Sequence, residues 1–372
     1  MKLWNFKRDC KNNNRTLAIV LDFVPDRDRS MEVFLLALSL NLKANGWTLV
    51  HCYTGEPGEY FRQRLIEMDI QYIVSPPILN SFVANKIGRK LKKFNVNVLL
   101  TAFYSAFSLP ILQLRLISRV KHWILSDHTS GVLENRSYLY NLLAKIRGAS
   151  VGLLIDKVIT CSNYIRTRDI QGLYFAPEKV LTVHNGINTN RYFPIARTEC
   201  DMITIAYAGQ LIPEKGIATL LDAVAGLEGN IRLLIAGAGR QRSELELRAR
   251  KLGLLPEWLG QIDWIPRLFA ESDIAVFPSI WAEAFGLVVA EAMACEACVV
   301  ASDVGGIPEV VGDAGIIVPV GDVVALRKAL ILLISDPTRR RLLAKAGRQR
   351  VIDRFSIDRM VEGYVAVLQE FA

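Results

Sequence analysis

No run of 18 uncharged apolar residues occurs in the 372-residue chain, so a membrane-spanning helix is not expected. The opening residues, Met-Lys-Leu-Trp-Asn-Phe-Lys-Arg-Asp-Cys, lack the apolar core of a secretory signal, and a soluble cytoplasmic protein is the expectation. Cysteine is sparse. The six (Cys10, Cys52, Cys161, Cys200, Cys295, Cys298) are scattered, which argues for reduced thiols rather than a disulfide framework. Cys295-Glu-Ala-Cys298 has the spacing of a redox or zinc pair, but no second pair or nearby histidine completes a zinc set. No short-period repeat or low-complexity tract appears, and half the residues are apolar, which excludes a disordered chain.

A chain of this length suits two domains of about 150 to 200 residues each. Charge divides unevenly between them: residues 1–195 hold 26 Lys and Arg against 14 Asp and Glu, and the remainder hold 19 against 23. One half is therefore +12 and the other −4. A basic half fits nucleic acid, an anionic membrane face or a phosphorylated substrate, with a solvated surface as the plain alternative.

Strand-like and helix-like runs alternate from Thr16 onward: Thr16–Val24, Met31–Asn45, Thr48–Tyr53, Phe61–Met68, Gln71–Val74, Ala84–Phe94 and Val96–Leu100 are the clearest. Trp123–Ser126, Lys157–Ser162 and Lys179–His184 continue the series until turn residues from Asn185 to Pro194 break it. A second series runs through Ile203–Gly209, Ile231–Gly237, Ile274–Pro278, Cys298–Ser302 and Ile316–Pro319. This alternation predicts two doubly wound parallel sheets of the α/β class, with the crossing between them near residues 193–198. Helices are expected over Val323–Ser335 and Pro337–Gln369, with a break near Phe355. The domains are placed at 1–194 and 195–354, with 355–372 a final helix packing back toward the first domain. A cleft between two such domains is a usual place for a small ligand.

The most informative stretch is 278–294, Pro-Ser-Ile-Trp-Ala-Glu-Ala-Phe-Gly-Leu-Val-Val-Ala-Glu-Ala-Met-Ala, which places Glu283 and Glu291 between a buried strand and a helix. Loops at the carboxyl ends of parallel strands hold ligands, and a helix start offers unpaired N–H groups suited to phosphate. Gly209-Gln-Leu-Ile-Pro-Glu-Lys215-Gly216 also follows a strand and opens a helix. Its glycines allow close backbone approach and Lys215 can add a charge to a phosphate, although a glycine turn with a solvated lysine reads equally well alone. Were residues 283–291 wholly helical, the two glutamates would stand about 12 Å apart along the axis. That exceeds the roughly 5 to 9 Å between a hydrolase's paired carboxyls and favours two separate holders along an elongated ligand.

With Gly237-Ala-Gly239, Asp273-Ile-Ala-Val-Phe-Pro-Ser279 and Ser302-Asp-Val-Gly-Gly-Ile-Pro-Glu309 in the same order, residues 155–356 resemble the group-1 (GT4-like) retaining glycosyltransferases of the GT-B fold. The resemblance implies two facing Rossmann-like domains and no metal or other cofactor. It implies that Glu291 bonds the ribose hydroxyls of a nucleotide sugar. Glu283 and the amides of Phe285, Gly286 and Leu287 would hold the sugar, and Lys215 would face the diphosphate, with Gly209, Gln210 and Gly237 lining the donor site. Before residue 155 it is thinner, resting on Ser126-Asp-His128-Thr, Asp156–Ser162 and His184-Asn-Gly186. His128 matches a histidine that meets the donor sugar, so His128, Glu283 and Lys215 are the candidate catalytic residues.

Three positions depart from the family pattern. Gln210 stands where an arginine is usual, which removes half of the expected diphosphate clamp unless Arg240 or another cation replaces it. Pro25-Asp-Arg-Asp-Arg-Ser30 replaces a glycine-rich loop, and Cys295–Cys298 replaces a glycine and a proline. Asp26-Arg-Asp28 spells a metal-binding pattern of another fold, but the interleaved arginines suit a charged surface loop and no metal is expected. Among the tryptophans Trp258, Trp264 and Trp281, Trp281 lies inside the key loop and is the one expected to stack on a ligand.

The activity implied is transfer of a sugar from a nucleotide donor to an acceptor hydroxyl with retention, the leaving diphosphate assisting on the same face. The basic half would take the acceptor. Arg89-Lys-Leu-Lys-Lys93 and the run from Arg115 to Lys121 suit a glycan or lipid-linked acceptor at an anionic inner membrane face, in surface polysaccharide or lipopolysaccharide synthesis, rather than nucleic acid. A nucleotide-sugar epimerase of the same fold and a non-catalytic nucleotide-binding module remain the alternatives.

Overall fold

The computed structural model describes residues 15–26, 29–131, 138–196 and 201–372. Cys10, Arg27, Asp28, Cys200 and the last two positions of the expected 193–198 crossing lie outside the described residues. The pattern expected of Asp26-Arg-Asp28 and of the Pro25–Ser30 loop is thus described only in part.

Thirteen strands form two sheets among the described residues. The first holds β1 (Thr16–Leu21), β2 (Thr48–Tyr53), β3 (Gln71–Val74), β4 (Val98–Ala102), β5 (His122–Asp127), β6 (Lys157–Thr160) and β7 (Val180–Thr182). The second holds β8 (Ile203–Ala208), β9 (Ile231–Ala236), β10 (Glu257–Gly260), β11 (Ile274–Phe277), β12 (Cys298–Ser302) and β13 (Ile316–Val318). Their orders are β3-β2-β1-β4-β5-β6-β7 and β10-β9-β8-β11-β12-β13, and every pairing described is parallel. Both orders are those of a Rossmann-like sheet, as the alternating sequence predicts.

Alternation along the second sheet's strands explains why it needs helices on both faces. Ala206, Ala208, Ala236, Ala275, Phe277, Val299 and Ala301 pack in one core with the helices Ile265–Ala270 and Leu287–Ala294. Their strand neighbours Ile205, Tyr207, Ile235, Ile274, Val276, Cys298 and Val300 pack in another with the helices Ile217–Val224 and Val323–Ser335. Successive side chains point to opposite faces, so near-continuous apolar strands demand two covers.

Backbone contacts divide the chain into two compact units. Met1–Arg27, Leu38–Leu125 and Tyr364–Ala372 make the first; Asp28–Ala37 and Ser126–Gly363 make the second. In the first, β1 is buried along its whole length, and the helix Ser81–Lys93 turns Val83, Ala84, Ile87 and Leu91 inward while Arg89, Lys90, Lys92 and Lys93 are exposed. Arg115, from the expected basic run, donates to the Lys121 carbonyl oxygen at 3.0 Å. Helices at Pro337–Arg354 and Ile357–Gln369 end and restart around Phe355, as expected. No helix among the described residues is long and apolar enough to cross a membrane.

Candidate functional site

In the second unit β8 pairs with β9 on one side and with β11 on the other. Chain connections therefore leave those neighbouring strand ends in opposite directions and open a crevice between them, the usual ligand position in such a sheet. The loop after β8 (residues 209–216) and the loop after β11 (residues 278–286) meet there. The Ile280 and Trp281 amides donate to the Glu214 carbonyl oxygen at 2.9 and 3.2 Å. Gly216 has φ +66°, and a Cβ there would stand 2.0 Å from the Pro278 carbonyl oxygen. A Cβ at Gly237 would likewise stand 1.8 Å from the Gly209 carbonyl oxygen, so Gly216 and Gly237 leave room for backbone at the two ends of the 209–216 loop.

Lys215 Nζ lies 2.8 Å from Glu283 Oε1, and Ser279 Oγ donates to the same oxygen at 2.6 Å. The pair is partly exposed, with 26% of the lysine side chain and 21% of the glutamate accessible. A cation and a carboxylate thus share one node at the strand ends. Burial pushes the Tyr207 hydroxyl well above its ordinary range, reinforced by the Glu283 charge, and the hydroxyl donates to the Gln210 carbonyl oxygen at 2.9 Å. The Gln210 side chain is exposed. Arg240 approaches the same loop by pairing with Glu214 at 3.2 Å, though its side chain is 69% exposed.

The backbone beyond Glu283 is tightly held, then abruptly unpaired. The Gly306 amide donates to the Glu283 carbonyl oxygen at 2.8 Å, and the Gly131 amide to that of Ala282 at 3.0 Å. Ser130 Oγ accepts from the Ala284 amide at 3.1 Å, and Ser162 Oγ donates to the Ala284 carbonyl oxygen at 2.5 Å. Among the described residues, the N–H groups of Phe285, Gly286 and Leu287 have no protein acceptor. Gly286, at φ +94°, caps the helix Leu287–Ala294 without a side-chain bond. Three donors at the positive end of an eight-residue helix are thereby left for an anion or a hydroxyl. Because the helix begins only at Leu287, the helical premise behind the 12 Å spacing does not hold for Glu283, which sits in the loop.

Glu291 lies one turn into that helix, half-buried. Burial pushes its carboxyl up to about 7, against a hydrogen bond with Tyr192 and the charges of Arg191 and Arg29.

His128 follows β5, with Nε2 2.8 Å from Ser126 Oγ. Burial pushes its imidazole down to about 4, so it is neutral at pH 7. Its neighbour Asp127 is anchored by Arg168 at 2.6 Å, and Arg168 also meets Asp169 at 2.9 Å and the Thr129 carbonyl oxygen at 2.6 Å. This buried network fixes the segment that carries His128 and, two residues later, Ser130. Glu309 ties a further motif to the same unit, accepting from the Asn163 backbone and side chain at 2.8 and 2.6 Å and bonding His184. Burial alone would raise the Glu309 carboxyl, but His184 and the backbone donors hold it below its ordinary value.

The second unit therefore carries His128, Gly209, Gln210, Lys215, Gly237, Glu283, Phe285 and Gly286 on loops that follow strands, and Leu287 and Glu291 in the helix that begins after Gly286. Tyr192, Ser130 and Ser162 also belong to this constellation and were not among the sequence candidates. Ser162 had a readable signal as the N-cap of the helix Asn163–Gln171, whereas Tyr192 was hidden in a turn-rich stretch. Trp281 is 44% exposed and Trp264 43%, so exposure does not separate them as the sequence did; Trp258 is stacked by Arg242 at 5.1 Å. Burial pushes the Cys295 and Cys298 thiols up to about 12, which keeps both protonated. Among the described residues no three His, Cys, Asp or Glu side chains gather as a metal cluster.

Residues 190–350 match the family Glycosyl transferases group 1, and residues 31–191 match Glycosyltransferase Family 4. The chain is 33% identical over 232 residues to an alpha-maltose-1-phosphate synthase of Mycolicibacterium smegmatis, covering 54% of this chain and 59% of that protein. It thus spans about three fifths of the length of that curated relative. A glycosyltransferase from Rickettsia africae superposes with a TM-score of 0.78 at 21% identity, covering 96% of this chain and 99% of the other. An Anabaena protein in complex with UDP and glucose superposes with a TM-score of 0.75 at 19% identity, covering 94% and 99%. The two family matches meet at residues 190–191, between β7 and β8, and only β1 among the strands lies outside them. The chain belongs to the group-1, GT4-like glycosyltransferases of the GT-B fold.

Proposed function

We propose that the protein transfers a sugar from a nucleotide-sugar donor to an acceptor hydroxyl with retention of anomeric configuration, as a hexosyltransferase that needs no metal. The observation that carries this reading is the set of three unpaired amides at Phe285, Gly286 and Leu287 beside the Lys215–Glu283 pair, with Glu291 one turn further on. Amides and a lysine suit a departing diphosphate, and a carboxylate suits vicinal ribose hydroxyls. The leaving diphosphate takes the acceptor proton on the face it vacates, so protein groups need only position the reactants and stabilise charge. Neutral His128 can hydrogen-bond a sugar hydroxyl without adding a charge. Arg240, which pairs with Glu214 at 3.2 Å, is the cation we assign to assist where Gln210 replaces the usual arginine.

The acceptor proposed is a glycan or lipid-linked hydroxyl in surface polysaccharide or lipopolysaccharide synthesis, reached at the cytoplasmic face of an anionic membrane. The exposed lysines and arginine of the helix Ser81–Lys93 support that placement. UDP and glucose in the Anabaena protein make UDP-glucose the first donor to try.

The test is incubation of the purified chain with UDP-, GDP- and ADP-sugars, with and without a lipid-linked acceptor, following nucleotide release and product anomer. Release that depends on the acceptor supports transfer, and a new sugar from donor alone supports an epimerase instead. Unchanged donor binding by Glu291→Ala sinks the site assignment.

A further inference from the structure

Ser162 and the 284–285 peptide raise a question of orientation. A peptide unit is a rigid trans plane in which the carbonyl and the following N–H point in opposite directions. The Ala284 carbonyl and the Phe285 N–H share one such plane, and among the described residues that N–H is unpaired. Ser162 Oγ accepts from the Ile165 amide at 3.2 Å, so its single proton is free to go to the Ala284 oxygen, 2.5 Å away. Ser162 is fully buried and Ala284 nearly so. The plane before it, which holds the Glu283 carbonyl and the Ala284 N–H, is fixed from both sides, by Gly306 N–H on that carbonyl and Ser130 Oγ on that amide. Gly306 leaves no slack, since a Cβ there would lie 2.5 Å from the Ala284 oxygen.

From this geometry we infer that Ser162 is a positioning residue: by pinning the Ala284 carbonyl on one side of the peptide plane, it aims the Phe285 N–H at the donor's anionic or hydroxyl oxygen on the other. A hydrogen bond accepted by a peptide oxygen also polarises the plane and strengthens the N–H as a donor. The inference rests on the donor-site reading above. Without the hydroxyl the 284–285 plane can rotate, and one of the three amides turns from the ligand.

Ser162 also caps the helix Asn163–Gln171, so the test must separate capping from aiming. Glycine caps a helix nearly as well as serine and alanine does not, yet both remove the hydroxyl; threonine keeps both properties. Ser162→Ala, Ser162→Gly and Ser162→Thr are therefore compared in the full chain, using whichever of UDP-glucose, GDP-mannose and ADP-glucose the unsubstituted chain turns over. Aiming predicts that Ala and Gly lose about tenfold or more in kcat/KM to a similar extent, although Ala melts lower than Gly, and that Thr restores activity. It also predicts that the Phe285 amide proton resonance of the ligand-free chain moves in Ala and Gly but not in Thr. Activity that follows melting temperature, or an unmoved Phe285 resonance, overturns the inference while leaving the donor-site reading standing. An unsubstituted chain that turns over none of the donors overturns both.

Discussion

Donor affinity should depend on pH through Glu291. Its carboxyl, at about 7 in the fold against an ordinary 4.5, is half protonated near neutrality because burial penalises the charge. At about 1.4 kcal/mol per tenfold, ionising it in the fold costs about 3.5 kcal/mol more than in the unfolded chain. The sign follows from the direction: stability contributed by this group is fully present below about 4.5 and is lost as pH rises through about 7. Vicinal ribose hydroxyls need an acceptor and favour the ionised form, so ligand and proton compete. Apparent affinity should then fall roughly tenfold between pH 8 and pH 6. Calorimetric titration with an intact nucleotide sugar is the right assay, because its diphosphate is esterified at both ends and lacks the second ionisation near pH 6 of a terminal phosphate. Proton release on binding at pH 6 should vary with buffer ionisation enthalpy, and Glu291→Gln should flatten the profile. A flat affinity in the unsubstituted chain from pH 6 to 8, or an unchanged profile in Glu291→Gln, refutes the reasoning.

Lys215→Ala should lower kcat/KM about a hundredfold while leaving the melting temperature within a few degrees, since a partly exposed pair contributes roughly 0 to 1 kcal/mol to stability; a large melting change with activity intact contradicts this. Gly216→Ala places a methyl 2.0 Å from the Pro278 oxygen at a positive φ and should lower the melting temperature by about 4 °C or more, which differential scanning calorimetry reads directly. Cys295 and Cys298, buried and protonated, should resist iodoacetamide at pH 7.5 until the chain is unfolded, and rapid alkylation of the native protein would contradict their placement.

Much of the fold was legible because the strands are short apolar runs bounded by turns. β2, β3 and β12 match their sequence bounds, and the break near Phe355 falls between the helices Pro337–Arg354 and Ile357–Gln369. β10 was missed: Glu257-Trp-Leu-Gly260 is an edge strand with no fully buried residue, so it carries no apolar run to read. The sequence shows the helix Leu109–Ser118 only as a source of basic charge, because exposed Leu109 and Leu116 put apolar residues on its outer face and blur the i, i+3, i+7 stripe of Ile111, Leu114 and Ser118. At the site, residue types near strand ends announced Lys215, Glu283 and Glu291. Ser130, Ser162 and Tyr192 act through contacts far apart in sequence, which periodicity cannot reveal. The Lys215–Glu283 pairing was likewise beyond the sequence, because it depends on β8 and β11 being neighbours although β9 and β10 intervene along the chain.

That adjacency also sets the order in which the protein can be made. β8 begins at residue 203 and can pair with β9 once residue 236 is made, but its other edge has no partner until β11 begins at residue 274. Until then the loop that bears Lys215 hangs from an incomplete sheet, with neither Glu283 nor the helix amides in existence to face it. Binding of the proposed donor should therefore arrive as a late event in the life of the nascent chain, and it would serve as a sensor of whether this half of the protein has folded to completion.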